Sequence, residues 1–272
     1  LIINQISDVV EKSQQLVTPI HCAAINPNVK YLKQLLSIIF EPNITDRYKR
    51  QPIHYAAACE GTQPLEYLLS RVDINATDKN GNSPLHIAAK YGRVKNIEIL
   101  LRTADLTSIN KMNKSKHYPL HLAVLHNHLD CVKILLEYNA PISTSLMLAC
   151  QCGYLDHVRI FIEHGAHIES LDSFKRTPLI YACMYGHAHV VSYLLRRGVN
   201  VNVFDSSNHT ALQYAIAYGW YFCVRLLLEA GANALPTSTC LIIAFIKGHY
   251  GISDYLLIEQ HIDINSKTKT DD

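Results

Sequence analysis

The feature that most constrains this chain is a seven-residue phrase that occurs eight times. Its clearest copy, SPLHIAA at residues 83–89, begins with a serine that can cap a helix and a proline that suits the first helical position. Gly92 then suits the left-handed residue that ends a short helix. A second helix is predicted from the apolar stripe of Val94, Ile97, Leu100 and Leu101. Such a helix pair cannot bury its apolar stripe unless copies of it pack on either side.

The eight copies have bodies of constant length and links of variable length. The second residue of each copy lies at position 19, 52, 84, 119, 145, 178, 211 or 240, so neighbouring copies are 26 to 35 residues apart. A pair of apolar residues begins 16 positions later in every copy, at Leu35, Leu68, Leu100, Leu135, Phe161, Leu194, Leu227 and Leu256. A packed helix pair tolerates no insertion, whereas an exposed link does. The constant interval therefore predicts stacked helix pairs.

The phrase resembles the T-P-L-H-x-A signature of the ankyrin repeat. The resemblance implies an all-α solenoid of antiparallel helix pairs, with β-turn or hairpin fingers projecting from the links, in about eight repeats over residues 18–261. Residues 1–17 are predicted to be a helical lead-in or a degenerate repeat, and residues 262–272 the start of a further repeat or a frayed end. Repeats 5, 7 and 8 lack the proline and histidine, which predicts less rigid helix starts. The short links before Ser145 and Cys240 indicate either truncated fingers or absent loop residues.

Composition narrows the function classes. The net charge of +2 is too small to indicate nucleic acid or a membrane surface, and no apolar run approaches the roughly 18–20 residues of a membrane span. We therefore expect no membrane insertion. Four of the eight cysteines occupy small or apolar repeat positions: Cys22, Cys150, Cys183 and Cys223. This favours reduced, buried thiols over disulfides, and an intracellular protein of the cytoplasm or nucleus.

Histidine is abundant, but its pattern favours structure over chemistry. His21, His54, His86 and His121 occupy the fourth position of the phrase, where the resemblance implies a bond within the turn–helix junction. The cluster from Cys150 to His189 lacks the paired spacing of a structural zinc site. The chain also has no nucleophile elbow and no phosphate-binding loop. We predict no catalytic residue, no metal and no cofactor, with a zinc-dependent site in that cluster as the enzymatic alternative.

The resemblance implies that a partner lies in the concave groove between the fingers and the first helices. The finger residues that would contact it are Arg47, Tyr48, Arg50, Lys79, Asn80, Asn82, Phe174, Arg176 and His209. The corresponding residues at the ends of the first helices are Lys90, Tyr91, His126, Met184, Tyr185 and Tyr218, with Trp220 just beyond. Tyrosine, tryptophan, methionine and arginine are enriched at protein interfaces, although such rings also pack between repeats.

We predict a non-catalytic scaffold or adaptor that binds another protein or another segment of its own polypeptide. The fingers carry nine basic residues against four acidic ones, which indicates an acidic peptide partner, with a solvated, uncommitted surface as the equal alternative. One alternative is a targeting or regulatory module of a larger multidomain enzyme whose catalytic domain lies outside this chain. Nucleic acid is not the expected partner, and its binding through the basic fingers would weaken steeply with salt.

Overall fold

The computed structural model describes residues 17–39, 41–103, 109–142, 144–233 and 237–259. Each repeat contributes two helices, and no strand occurs in these ranges. The first helices are Pro19–Ala24, Pro52–Ala58, Pro84–Lys90, Pro119–Leu125, Ser145–Cys152, Pro178–Met184, Ala211–Ala217 and Thr237–Ile246. The second helices are Lys30–Ile38, Gln63–Leu69, Val94–Thr103, Leu129–Glu137, Leu155–Glu163, Ala188–Arg196, Tyr221–Glu229 and Tyr250–Asp254, the last continued by a π-helical turn, Tyr255–Glu259. The predicted all-α class is confirmed.

The chain divides into two compact units between Pro141 and Ile142. Repeats 1–4 form the first unit and repeats 5–8 the second. Within each unit, the first helix of a repeat packs against its own second helix and against the first helix of the next repeat. The lead-in predicted for residues 1–17 lies outside the described residues except for residue 17. The further repeat predicted for residues 262–272 lies wholly outside them.

The apolar residues 16 positions after each anchor form the inter-repeat core. Leu68, Leu100 and Leu135 in the first unit are at most 1% exposed. The second unit buries its equivalents to the same degree, namely Phe161, Leu194, Leu227 and Leu256. Leu35 in repeat 1 is half-buried, and Leu36 beside it is buried instead. The repeat register read from the sequence is therefore the packing register of the helices.

The motif histidine ties the start of its helix to the next finger. The Ser83 backbone N–H donates to Nδ1 of His86 over 3.2 Å, and Nε2 of His86 donates to the carbonyl of His117 over 3.1 Å. His21 and His54 reach the carbonyls of Arg50 and Asn82 in the same way, over 3.0 and 3.2 Å. The structural role expected of these histidines is thus what the structure shows.

The repeats without that histidine begin their first helices in different ways. In repeat 7, the side chain of Gln213 accepts the Thr210 N–H over 3.0 Å, and the Gln213 backbone N–H donates to the Thr210 hydroxyl. The prediction of a less rigid helix start is therefore wrong for this repeat. In repeat 5 the helix follows Thr144, which is already helical in conformation. In repeat 8 it begins at Thr237, three residues before the expected anchor Cys240. The described parts of these two short links contain no aspartate-anchored turn.

All eight cysteines are free. Cys150, Cys183 and Cys223 are buried as predicted. The prediction is wrong for Cys22, which is exposed. Cys22 is the fifth residue of its phrase, and the exposure of this position varies: Tyr55 is half-buried, whereas Ile87 and Leu122 are buried.

Candidate protein-binding site

The fingers are tight turns anchored by one side-chain carboxylate or amide each. In the finger at residues 46–50, Oδ1 of Asp46 accepts the backbone N–H groups of Tyr48 and Arg50, both over 2.8 Å. Its Oδ2 accepts Nε of Arg50 over 2.7 Å and the hydroxyl of Tyr55 over 2.8 Å. Turns of the same kind occur at residues 78–82, 113–117, 172–176 and 205–209, anchored by Asp78, Asn113, Asp172 and Asp205.

These contacts lower the pKa values of three of the anchoring aspartates. Burial by itself would raise the pKa of Asp46, but hydrogen bonds from the Arg50 backbone, the Tyr55 hydroxyl and the Arg50 guanidinium outweigh it and lower that pKa. The pKa values of Asp172 and Asp205 are lowered for the same reason. The partner hydroxyls respond in the opposite sense, because burial and the carboxylate raise the pKa of Tyr181 and of Tyr214 to about 12. Asp46, Asp172 and Asp205 are therefore ionised at neutral pH.

Neighbouring fingers are joined to each other through their backbones. In the first unit, the Lys79 N–H donates to the carbonyl of Tyr48 over 2.7 Å, and the Lys114 N–H donates to the carbonyl of Asn80 over 2.9 Å. In the second unit, the Ser206 N–H donates to the carbonyl of Phe174 over 2.8 Å. We call residues 46–50, 78–82 and 113–117 the first-unit fingers. Their bonds hold them as one row.

A groove of about 410 Å³ lies between the first-unit fingers and the first helices of repeats 2 and 3. It brings together six of the predicted site residues: Tyr48, Arg50, Asn80, Asn82, Lys90 and Tyr91. It also contains residues that were not predicted for the site, which are Ile25, His54, Tyr55, Ala58, Asp78, Ile87 and Arg93. The predicted residues Arg47 and Lys79 are exposed on the fingers outside this lining.

The three cations of the groove differ in the ion pairs and hydrogen bonds that they form within the protein. The Arg50 guanidinium pairs with Asp46 over 2.7 Å and lies about 5 Å from the ring centres of Tyr48 and Tyr55. Arg93 donates through Nε to the Ala58 carbonyl over 2.7 Å, and its Nη1 pairs with the exposed Glu60 carboxylate over 3.5 Å. Nζ of Lys90 lies 5.6 Å from the ring centre of Tyr91 and has no ion pair with a described residue. The groove is therefore aromatic, with positive charge left over.

In the second unit, the predicted residues form local aromatic contacts. The Arg176 guanidinium lies 4.7 Å from the ring centre of Phe174 and pairs with Asp172. The Tyr185 hydroxyl accepts Nε2 of Gln151 over 3.2 Å. Tyr218 stacks on Tyr214 and His209 lies beside that same ring, with centroids 6.4 and 5.6 Å away. Met184 is half-buried, and in the first unit His126 stacks on His128.

Trp220 has a structural role although it is partly exposed. Its indole N–H donates to the Met184 carbonyl over 3.1 Å, although 41% of the residue is exposed. The residue after the helix-closing turn makes the equivalent contact in four other repeats, where Arg93, His128, His187 and His249 reach the carbonyls of Ala58, Lys90, Gln151 and Ala217. This position therefore caps the first helix of the preceding repeat. Trp220 remains a candidate contact through its exposed face only.

The capping position gives a prediction about two glycines. Gly153 and Gly165 both have positive φ, 75° and 85°. A β-carbon added to Gly153 would lie 2.5 Å from Nδ1 of His187, whereas one added to Gly165 meets nothing within 4 Å. We expect Gly165→Ala to lower the free energy of unfolding by about 1 kcal/mol for the backbone conformation alone. Gly153→Ala should cost about 1–3 kcal/mol more, because the ring must move.

Urea denaturation of both variants measures this difference. The fluorescence of Trp220, the only tryptophan, reports on the unit that contains both glycines. Equal losses in the two variants would show that the His187 cap does not constrain the residue beneath it.

Two groove residues could have been found by position alone. Arg93 follows Gly92 as His187 follows Gly186, so alignment of the repeats places it at the capping position. Tyr55 is the fifth residue of its phrase, as Ile87 is in the next repeat, and both line the groove. The burial of Asp46 and Asp78 has no such signal, because it arises from contacts within each folded turn.

The structure also bears on metal and membrane binding. Within the described ranges, no three His, Cys, Asp or Glu side chains form a group that could hold a metal ion. In the cluster from Cys150 to His189, Nε2 of His187 and Nε2 of His189 each contact a backbone carbonyl over 2.8 Å. No helix among the described residues is long and apolar enough to cross a bilayer.

A family model described as Ankyrin repeats (3 copies) matches the chain in overlapping segments, at residues 1–78, 20–110, 57–145, 104–172, 146–238 and 205–268. The chain belongs to the ankyrin repeat family. The predicted family is confirmed, and the array is of a kind that generally binds proteins.

Curated relatives match this ankyrin array over only part of their own length. Poly [ADP-ribose] polymerase tankyrase of Caenorhabditis elegans is 36% identical over 188 residues, which is 59% of this chain and 8% of that protein. Ankyrin repeat protein nuc-2 of Neurospora crassa is 31% identical over 55% of this chain and 12% of its own length. Human transient receptor potential cation channel subfamily A member 1 is 27% identical over 57% of this chain and 15% of its own.

Solved ankyrin structures resemble this one in fold. The human ASB11 ankyrin repeat domain aligns with a TM-score of 0.62 and 27% identity, over 68% of this chain and 86% of that one. The ankyrin repeat domain of Bcl-3, described as a member of the IkappaB family, aligns with a TM-score of 0.65 and 22% identity, over 78% and 98%. At 22% identity, the likeness to Bcl-3 concerns the fold alone.

Proposed function

We propose that this ankyrin repeat array is a non-catalytic module that binds another protein, or another segment of its own polypeptide, through its fingers and the ends of its first helices. The observation that carries this proposal is the groove of the first unit, where six residues chosen for their repeat positions line one cavity. The second-unit residues named above extend the same kind of surface on their own unit.

The groove has the properties of a binding site for a polypeptide. The Asp46 contacts and the bonds between fingers hold its wall in place, so little conformational entropy is lost on binding. Tyr48 and Tyr91 supply exposed aromatic surface, and binding energy at protein interfaces is concentrated on such residues. Asn80 and Asn82 supply amide groups that can hydrogen-bond a peptide backbone. No cofactor has a role in this function.

The partner we propose presents acidic groups to this surface. Lys90 lies in the groove without an ion pair to a described residue, and a carboxylate placed there would be attracted to it and to Arg93. We place the protein in the cytoplasm or nucleus, since its eight cysteines are all free and several are buried.

A second candidate function follows from one comparison. The tankyrase relative is named as a polymerase, and this chain matches 8% of it, in an ankyrin portion. The array would then be the targeting or regulatory module of a larger enzyme. The coding sequence that contains this chain decides the matter: an adjoining catalytic domain supports this function, and a reading frame that encodes ankyrin repeats alone rejects it.

The groove can be tested with a matched pair of tyrosines. Tyr91 lines the groove and is 47% exposed, whereas Tyr31 is 59% exposed on a second helix of the same unit, outside the groove lining. We expect Tyr91→Ala to weaken binding to a captured partner about tenfold or more, because interface aromatics carry much of the binding energy. Tyr31→Ala should leave the affinity unchanged.

The measurement is affinity capture from a cell extract followed by titration of the purified partner with each variant. Thermal unfolding serves as the control for folding. If Tyr91→Ala and Lys90→Ala both keep full affinity while folded, the groove is not the binding site.

A further inference from the structure

We propose that the first-unit fingers form a basic strip that recognises an acidic run within the partner polypeptide. This inference rests on the proposed function and names the chemistry that the surface selects. The strip extends beyond the groove and consists of five exposed cations: Arg47, Lys49, Lys79, Lys114 and Lys116. Of these only Arg47 and Lys79 were predicted as contacts.

The acidic residues of these fingers are not accessible to form ion pairs with the cations at the surface. Asp46 is 3% exposed and Asp78 is 7% exposed, and both carboxylates are occupied by N–H donors of their own turns. The third finger has Asn113 in place of an aspartate. The lysines of the strip form no ion pair with any described residue, which leaves Lys49, Lys79, Lys114 and Lys116 to solvent. The lysines are therefore charged groups of these fingers that a partner can contact directly.

The charges are also held in register. Arg47, Lys79 and Lys114 each follow the anchor of their finger, so they occupy the same position in three consecutive turns. The backbone bonds of Lys79 to Tyr48 and of Lys114 to Asn80 join these turns, and Nδ2 of Asn113 adds a bond of 2.8 Å to Oδ1 of Asn82. A row of like charges on a rigid frame suits a partner with several negative charges along an extended segment.

The turn position with positive φ carries a lysine in two of the three fingers of the strip. Lys49 and Lys116 have φ values of 56° and 60°, at the position where the middle finger has Gly81 with φ 77°. The same conformation occurs at Lys175 and Asn208 in fingers of the second unit, so it belongs to the turn itself. Glycine adopts it with less strain, so either lysine can be replaced here without destabilising the turn.

An acidic polypeptide fits this surface better than a nucleic acid. The strip is short, and the net charge of the whole chain is only +2. The second-unit fingers have Ser173 and Ser206 at the position of Lys79, so the basic row ends with the first unit. The groove beside the strip supplies amides and tyrosines for a peptide, as described above. A protein that binds nucleic acid typically contacts many more phosphates.

The strip can be tested on the whole chain with a fluorescein-labelled oligoglutamate peptide at low ionic strength, and an oligoglutamine peptide of equal length as the control. We expect fluorescence anisotropy to show binding of the glutamate peptide only. The double variant Lys79→Gln, Lys114→Gln should weaken it about fivefold or more, and Lys79→Arg with Lys114→Arg should retain it. Unchanged affinity in the glutamine variant would overturn the proposal.

The strained lysines allow a sharper test with an internal control. Lys49→Gly with Lys116→Gly should raise the unfolding temperature and weaken peptide binding. Lys175 has φ 56° in a finger of the second unit, so Lys175→Gly should raise the unfolding temperature without weakening it. Equal affinities of the Lys49→Gly, Lys116→Gly variant and the Lys175→Gly variant would contradict the strip.

The remaining outcomes are also decisive. A single-stranded oligonucleotide bound more tightly than the peptide would assign the strip to nucleic acid and reject the acidic polypeptide. Peptide binding that depends on the lysines, combined with partner capture that does not depend on Tyr91, would reject the groove while supporting the strip. The two proposals therefore fail separately.

Discussion

We expect Leu194→Ala to lower the free energy of unfolding by about 2–5 kcal/mol. Leu194 is 0% exposed and lies 16 residues after the anchor of repeat 6, where it packs between helices of the second unit. Truncation removes apolar contact area and leaves a cavity that neighbouring helices fill only in part. Urea denaturation followed by Trp220 fluorescence measures the change, since that tryptophan belongs to the same unit. Leu100→Ala should have a similar effect in the first unit.

The next residue along the chain provides the control. Leu195 has the same chemistry and helix but is only partly buried. We expect Leu195→Ala to cost clearly less than Leu194→Ala. A loss below about 1 kcal/mol for Leu194→Ala, or equal losses for the two, would contradict the packing register of the repeat.

We expect acidification from about pH 6.5 to pH 4 to destabilise the first unit more than the second. Burial lowers the pKa of His86 and of His121 to about 4, and it also lowers the pKa of His21 and of His54. These four motif histidines belong to the first unit. His157 is the one buried histidine among the described residues of the second unit.

The sign follows from proton binding in the two states. An unfolded histidine takes up a proton as the pH falls below about 6.5, whereas folded His86 resists it until about pH 4. The unfolded state therefore binds more protons throughout this window, so the free energy of unfolding decreases as the pH is lowered. The decrease is roughly 3 kcal/mol for His86. The anchors Asp46, Asp172 and Asp205 have lowered pKa values and lose their contribution only at lower pH, in both units.

Hydrogen–deuterium exchange at pH 7 and at pH 5, corrected for the intrinsic exchange rates, resolves the two units. Glutamine is a suitable replacement for a motif histidine in the control variant. In repeat 7, Gln213 occupies the histidine position and still accepts the N-cap N–H. We expect His86→Gln to keep that bond and to reduce the acid sensitivity of the first unit. Equal loss of protection in both units across this window would contradict the assignment to the motif histidines.

The fold was largely predictable because the same spacing of apolar residues recurs in every repeat. A single helix pair could be read in several ways, but an interval of 16 residues that holds in all eight copies admits one register. Even so, Leu35 departs from that register, and Gln213 preserves a helix start that the missing histidine had placed in doubt. Pairwise contacts of this kind depend on the geometry of particular side chains, which the repeat pattern does not specify.

The candidate site was predictable in position but not in chemistry. Repeat positions alone selected Tyr48, Asn80, Asn82, Lys90 and Tyr91, and the structure places all five in one groove. The same reasoning could not show that Arg50 forms an ion pair with Asp46. Nor could it show that the Trp220 indole caps the first helix of the preceding repeat. Both outcomes depend on contacts between side chains from different turns or repeats.

The sequence by itself determined that this chain builds stacked helix pairs of the ankyrin family and which positions face outward, because hydrophobic periodicity and turn chemistry are local properties. Only the tertiary structure decided which outward charges a partner would encounter. It buries Asp46 and Asp78 inside their own turns and leaves the neighbouring lysines exposed. The physical reason is that burial and hydrogen bonding, rather than residue type, decide whether a charge is satisfied within the protein or remains at its surface.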